Sequence, residues 1–253
     1  MADRDAIVAF LDELLDAHGW PDYGPNGLQV PGQREVRRLV TGVSAHAELF
    51  LRAAAAKAQM VVCHHGIFWD KAPRVITPTD KRRLQTLFDA ELSLAAYHLP
   101  LDAHPEVGNN ALICTALGFE RSEPFGDHRG RRIGWVGRTS GEGVPAAELL
   151  ERCTAIFGRE PLVFAAGPDT VRSVGVVSGG AAGSLGEAIG RGLDAFVTGE
   201  PAEPAMADAR EGGIHFVAGG HYATETFGVR RVGELLAERF GIEHQFIEIP
   251  NPV

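Results

Sequence analysis

Two adjacent histidines, His64 and His65, follow the apolar run Val61-Val62-Cys63 and precede Gly66. Imidazoles ligate borderline divalent metals, so this pair is the first candidate for chemistry. Side chains of neighbouring residues in a regular strand point to opposite faces. The two rings can share a site only where a strand ends, and Gly66 allows the turn that this needs. The carboxyl ends of strands are where open α/β sheets bind ligands.

A second candidate is Gly219-Gly220-His221-Tyr222-Ala223-Thr224-Glu225. Here a glycine pair lets a strand break into a helix, and the i, i+4 spacing puts an imidazole and a carboxylate on one face. The third is His98-Leu99-Pro100-Leu101-Asp102-Ala103-His104. Asp102 can give one or two oxygens, while His98 and His104 read as neighbours able to transfer protons. Each cluster alone also reads as ordinary polar loop or exposed helix. Together, His64, His65, Asp102, His221 and Glu225 are too many for one tetrahedral structural zinc. They suit two ions about 3.5–4 Å apart with open positions for water. Cys63 is expected to face the sheet as a small hydrophobe.

The Gly-rich stretch Ser178–Ser184 is a strand-to-helix turn. The N–H groups of Ser178, Gly179 and Gly180 could cradle an anion, although glycines there also permit close helix–sheet packing. It matches neither dinucleotide nor P-loop spacing, so no nucleotide cofactor is implied.

The elements that position these groups alternate between strand and helix. Apolar spacing predicts helices over 4–18, 45–59, 79–90, 109–117, 145–157 and 229–240, and strands over 39–43, 60–63, 93–97, 162–165, 174–177, 193–197 and 245–249. Residues 120–145, rich in Gly, Arg and Ser, read as a boundary with strand only at 133–136. The second half repeats the first: 174–177 matches 39–43, 193–197 matches 60–63, and Val217–His221 matches Leu94–His98. In that register His64-His65 falls at Gly199-Glu200. The fold class expected is α/β, two pseudo-symmetric halves with mostly parallel or mixed sheets flanked by helices and a metal site between them. Residues 1–125 with 229–253 form one half and 126–228 the other.

Composition agrees with this class. The chain has 253 residues, 45% hydrophobic and 23% charged, with a net charge of −9. That balance argues against a nucleic-acid footprint, a patch at Arg129-Gly130-Arg131-Arg132 aside. No apolar run reaches the ~20 residues of a membrane span. Three cysteines without a CxxC pair point to a reducing, cytoplasmic setting.

Asp22–Val30, Cys63–Gly66, Tyr97–Pro105, Gly108-Asn109-Asn110, Thr198-Gly199-Glu200, Gly219–Glu225 and Pro250-Asn251-Pro252 occur in that order. This succession resembles the family called GTP cyclohydrolase I type 2, or Nif-three-like dinuclear metal-centre proteins, in its short YbgI-like bacterial form. The resemblance implies two divalent ions per subunit (Zn, Mn, Fe, Co or Ni) held by His64, His65, Asp102, His221 and Glu225, with Glu225 as bridge. It also implies a toroidal homohexamer. Longer members carry an inserted domain for which 120–145 leaves no room. The activity implied is metal-dependent hydrolysis, with a small-molecule substrate such as a purine nucleotide attacked at C8. The competing reading is a ring-shaped metal-binding scaffold without catalysis.

Overall fold

A computed structural model describes all residues, 1–253. The chain divides into two compact units, Met1–Leu101 with Gly228–Ile249, and Asp102–Phe227 with Pro250–Val253.

The first unit is built on a five-stranded sheet. Its spatial order is Glu243–Phe246, Arg38–Ser44, Met60–His65, Ser93–Ala96 and Gly27–Val30. The first four are parallel and the last pairs antiparallel with Ser93–Ala96. The three central strands are apolar on both faces, as strands covered by helices on both sides must be. In register, Val40 lies opposite Val61 and Val61 opposite Leu94. These three pack with Leu49 and Phe50 of the helix Ala47–Ala55 and Leu87 of Pro78–Asp89. Thr77 starts the latter helix, in a reciprocal capping box with Asp80 that satisfies two otherwise unpaired backbone donors. Asp3 accepts from Asp5 and Ala6 to start Arg4–Leu14.

The second unit has a six-stranded sheet in the order Leu162–Phe164, His215–Ala218, Ala195–Thr198, Ser173–Val176, Arg131–Arg138 and Glu120–His128. Only the strands Ser173–Val176, Ala195–Thr198 and His215–Ala218 are mutually parallel. Alternation sends Val197 and Val217 into one core with Ile113, Cys114 and Leu149. It sends Phe196 and Phe216 into the other with Phe125, Leu185 and Ala209.

The internal repeat is visible in both topologies. Each sheet holds three parallel strands in sequence order, and each third strand is flanked by an antiparallel one. The expectation for 120–145 is corrected. Glu120–His128 and Arg131–Arg138 form a long hairpin at the sheet edge. Its two-residue turn, Arg129-Gly130, takes positive φ at both positions, 52° and 84°, as tight hairpins favour. An Arg in that conformation is no usual turn signal, and polar edge-strand residues hide the alternation. Arg132 is ion-paired with Glu187 at 2.8 Å, so the basic cluster is partly neutralised. Residues 102–125 group with the second unit rather than the first. Their helix, Asn109–Ala116, sinks Ile113 and Cys114 into the second unit's core. No helix is long and apolar enough to cross a membrane.

Candidate metal-binding side chains

In the first unit, the strand Met60–His65 carries both histidines to its carboxyl end. His64 is wholly buried and His65 half-buried. Regular alternation would separate them, yet their ring centroids lie 4.7 Å apart. The chain leaves the strand at Gly66, where a Cβ would fall 2.2 Å from the Gln29 amide nitrogen. Gln29 uses that closeness to accept the Ile67 N–H at 2.8 Å. His98, just beyond Ser93–Ala96, joins the pair. His64, His65 and His98 each bring one donor atom within 4.8 Å of the others, a group able to hold a metal ion.

The other ring nitrogens are held. His64 Nδ1 lies 3.0 Å from the Tyr97 carbonyl and His98 Nδ1 2.6 Å from Asp22 Oδ1. A carbonyl or carboxylate can only accept, so Nδ1 carries the proton in both and the lone pair sits on Nε2. His65 Nδ1 pairs with Ser44 Oγ at 3.0 Å.

In the second unit, Gly219-Gly220 ends the strand His215–Ala218 and His221 opens a short helix, His221–Thr224. His221 Nε2 lies 3.1 Å from Glu225 Oε1, while Nδ1 hydrogen-bonds Glu200. Burial works against a charge on His221, but Glu225 and then Glu200 outweigh it and raise its pKa to about 9. Asp102, also buried, accepts from Asn109 Nδ2 at 2.8 Å and from Ser178 Oγ at 3.0 Å on the same oxygen. The next residue, Gly179, lies against Glu225 and His221, so close that a Cβ would stand 2.4 Å from Glu225 Oε1. The Ser178-Gly179 turn therefore links the Asp102 carboxylate to the His221–Glu225 pair.

This corrects the reading of Ser178, Gly179 and Gly180 as an anion cradle. The Ser178 N–H donates to Asn110 Oδ1 at 2.6 Å and the Gly179 N–H to Thr224 Oγ1 at 3.0 Å. Two of the three amides are thus committed, beside a carboxylate that repels anions. His104 is corrected as well. Its Nδ1 accepts from the backbones of Glu106 and Val107, each at 3.1 Å, a local turn rather than a proton relay. His98 stands among the donors themselves. Cys63 is wholly buried, and burial pushes its thiol far above the usual range. Glu200, Asp22, Ser44, Asn109 and the Tyr97 carbonyl had not been assigned roles. The repeat register set Glu200 opposite His65, and the motifs of the family resemblance include Asp22, Tyr97, Asn109 and Glu200 without saying what each does.

Asp22 gives a pH prediction. Burial opposes its charge, but hydrogen bonds from His98 above all, and from Asn26 and Tyr23, hold the carboxyl at about 2. Its folded pKa lies below the ordinary carboxylate value of ~3.9, so ionised Asp22 stabilises the fold above that pH. That contribution, about 2 kcal/mol, is lost as pH falls through about 4 to about 2. Urea melts of wild type and Asp22→Asn are expected to differ by roughly that amount at pH 6 and to converge near pH 2. A constant gap would contradict the assignment.

Known proteins share this fold and much of this sequence. The model of the Duf34/NIF3 (NGG1p interacting factor 3) family matches residues 2–252. A Pseudomonas aeruginosa protein named GTP cyclohydrolase 1 type 2 homolog is 44% identical over 246 residues, 97% of each chain. The solved structure of protein ybgI, of unknown function, superposes with a TM-score of 0.93 at 38% identity over 100% of both chains. TTHA1606 from Thermus thermophilus does so at 0.89 and 37%, again over 100% of both. The coverage, the identity and the shared topology together place this chain in the Duf34/NIF3 family.

Proposed function

We propose that the chain binds two divalent ions through His64, His65, Asp102, His221 and Glu225, with Glu225 shared, and uses them for hydrolysis. The observation that carries this reading is the anchoring of Nδ1. His64, His65, His98 and His221 each engage Nδ1 with a protein partner. Such partners orient ligating imidazoles and fix which nitrogen meets the metal. Bound divalent ions lower the pKa of water and polarise an electrophile. Around them, Asn109 and Ser178 hold Asp102, and Glu200 and Asp22 hold their histidines. His98, tethered through Nδ1, can accept a proton at Nε2. The relatives' shared name, GTP cyclohydrolase 1 type 2 homolog, suggests GTP as substrate, and the family resemblance a purine ring attacked at C8 and a homohexamer.

Elemental analysis of protein purified without chelator or affinity tag is expected to find about two ions per chain. Turnover of GTP above the free-metal background would then support hydrolysis. Metal without turnover across a broad substrate panel would favour the scaffold reading. Failure to bind metal after reconstitution would remove both.

A proton count offers a further check. With a pKa of about 9, His221 is protonated at pH 7 in metal-free protein, and a ligating imidazole must be neutral. Metal uptake at pH 7 is therefore expected to release about one proton from this residue, and progressively less above pH 9. Calorimetry in buffers of different ionisation enthalpy, wild type against His221→Ala, reads that number. Equal release by both proteins would exclude His221.

A further inference from the structure

Pro250-Asn251-Pro252 follows the strand Glu243–Phe246, and the proposed function leaves it without a role. Proline has no N–H and a fixed φ, so this segment cannot extend the ladder of that strand. The chain leaves the sheet, and Pro250–Val253 groups with the second unit although the residues just before it belong to the first. Hydrogen bonds fix it there. The Arg159 guanidinium donates to the Pro252 carbonyl, and the Tyr222 N–H donates to the Val253 carbonyl at 3.0 Å. Asn251 Oδ1 accepts the Val253 N–H at 3.0 Å. Tyr222 adjoins His221 in the helix His221–Thr224. A helix's own carbonyls cannot reach the N–H groups of its first turn, so Val253 supplies an acceptor that sets the turn carrying His221.

Arg159 also packs against that turn from below. The helix Ala146–Phe157 ends at Gly158 in a left-handed cap, φ +65°, which brings Phe157 and Arg159 against the glycine pair before His221. A Cβ on Gly219 would stand 2.5 Å from the Phe157 ring, and one on Gly220 would stand 2.8 Å from Arg159 Nη1. Phe157 shares a core with Ala223 and meets Phe227 edge-on, 6.3 Å between centroids. His221 is thus bracketed. Gly219, Gly220 and Ala223 rest on the end of one helix, while Tyr222 hangs from Pro250–Val253, and Arg159 belongs to both supports. Phe157 and Ala223 are buried, whereas Arg159 and residues 250–253 are exposed. Exposed hydrogen bonds of this kind open most readily.

We propose that Pro250–Val253 is a strap that fixes the backbone of His221, and that Arg159 is the positioning residue that latches it. The consequence for metal rests on the reading of His221 as a ligand, whereas the strap itself does not. Latched, the imidazole is held with Nδ1 on Glu200 and Nε2 facing Glu225. Released, the turn loses the Tyr222 acceptor and that hold weakens. Metal affinity therefore depends on exposed residues that include no ligand.

The test compares the full chain with a chain ending at Ile249, each with Arg159 or with Arg159→Met, which keeps the stem against Gly220 but cannot donate. Metal-free protein is titrated with Zn²⁺. Before metal is added, NMR follows exchange of the Tyr222 amide and the resonance of the His221 Nδ1 proton shared with Glu200. The shortened chain is expected to bind Zn²⁺ about tenfold to a hundredfold more weakly. Its Tyr222 amide should exchange faster and its His221 resonance should broaden or vanish. In the full chain Arg159→Met should cost about threefold to tenfold and Arg159→Lys, which restores a donor, less than about twofold. In the shortened chain Arg159→Met should cost nothing further, because its partner is gone. A lower melting temperature with Zn²⁺ affinity within about twofold of wild type would make the strap merely structural and overturn the proposal. Equal losses from Arg159→Met in both chains would also overturn it, since Arg159 would not act through the strap. If wild type takes up no metal even after reconstitution, the ligand reading falls and the NMR decides the strap. A changed Tyr222 amide and His221 resonance in the shortened chain would support it, and unchanged ones would overturn it.

Discussion

Glu225→Ala protein is expected to hold less than about a tenth of the wild-type metal, even after reconstitution with excess divalent ion. Glu225 is 2% exposed, and its Oε1 stands 3.1 Å from His221 Nε2. In metal-free protein the imidazolium of His221 neutralises this buried carboxylate. Metal would take the place of that proton, so the substitution removes a ligand and the countercharge in one step. A structural role predicts a different pattern. Deleting one member of a buried pair leaves the other uncompensated, so a purely structural role would lower the melting of metal-free protein, by the equivalent of about 3–5 kcal/mol, and leave the response to metal intact. If Glu225 is a ligand, the rise in melting temperature expected of wild type on adding metal should disappear in the variant, because that rise is binding energy. Normal metal content in Glu225→Ala would end the proposed assignment of ligands.

Gly179→Ala is expected to do comparable damage without replacing a ligand. Gly179 has φ +65°, a left-handed conformation that costs an alanine roughly 1–2 kcal/mol. The new methyl would stand 2.4 Å from Glu225 Oε1 and 3.3 Å from His221 Nε2. Relief would require moving the turn, but the Gly179 carbonyl accepts from Gly199, Glu200 and Thr198. Overpacking of this kind costs about 1–3 kcal/mol. The sum, about 2–5 kcal/mol, corresponds to a melting temperature lower by about 10 °C, with metal affinity down at least tenfold. The neighbouring glycine is the control. Gly180 is exposed, its backbone is not left-handed, and a Cβ there meets nothing closer than 3.9 Å. Gly180→Ala should therefore change stability by less than about 0.5 kcal/mol. Equal effects at the two positions would show that loop flexibility, rather than the closeness of Gly179 to Glu225, sets the requirement.

Of the five ligand candidates, His64, His65 and His221 were legible because they sit where an apolar run stops, and Glu225 and Asp102 because each follows a histidine by four residues. His64-His65 ends a strand, and His221 follows a glycine pair that ends another. Their supports were not legible. Asp22 reaches His98 across 76 residues, and Glu200 reaches His221 across 21. Nothing local in Asp22-Tyr23-Gly24-Pro25 distinguishes a buried acceptor from a turn residue. The same limit explains the misread glycine turn. Free amides are implied by Ser178-Gly179-Gly180 alone, and it takes Asn110 and Thr224, brought in by tertiary folding, to occupy them. His104 failed in the opposite way, since its Nδ1 is engaged by backbone donors only two and three residues away. The repeat was recoverable because three parallel strands impose one pattern twice. The hairpin within 120–138 was lost because an edge strand can be polar on its outer face and still pair.

The Tyr97 side chain is buried, with its hydroxyl donating to Asp12 Oδ1 at 2.8 Å, while its carbonyl meets His64 Nδ1. One residue thus joins the N-terminal helix to an imidazole 52 positions further along the sequence from Asp12. In genetic terms, the site has a larger target than its ligands. A mutagenesis screen scored by cellular metal content should recover alleles at Asp12 and Tyr97 alongside those at His64. Suppressors of a weak Asp12 allele should map to the first helix rather than to the sheet.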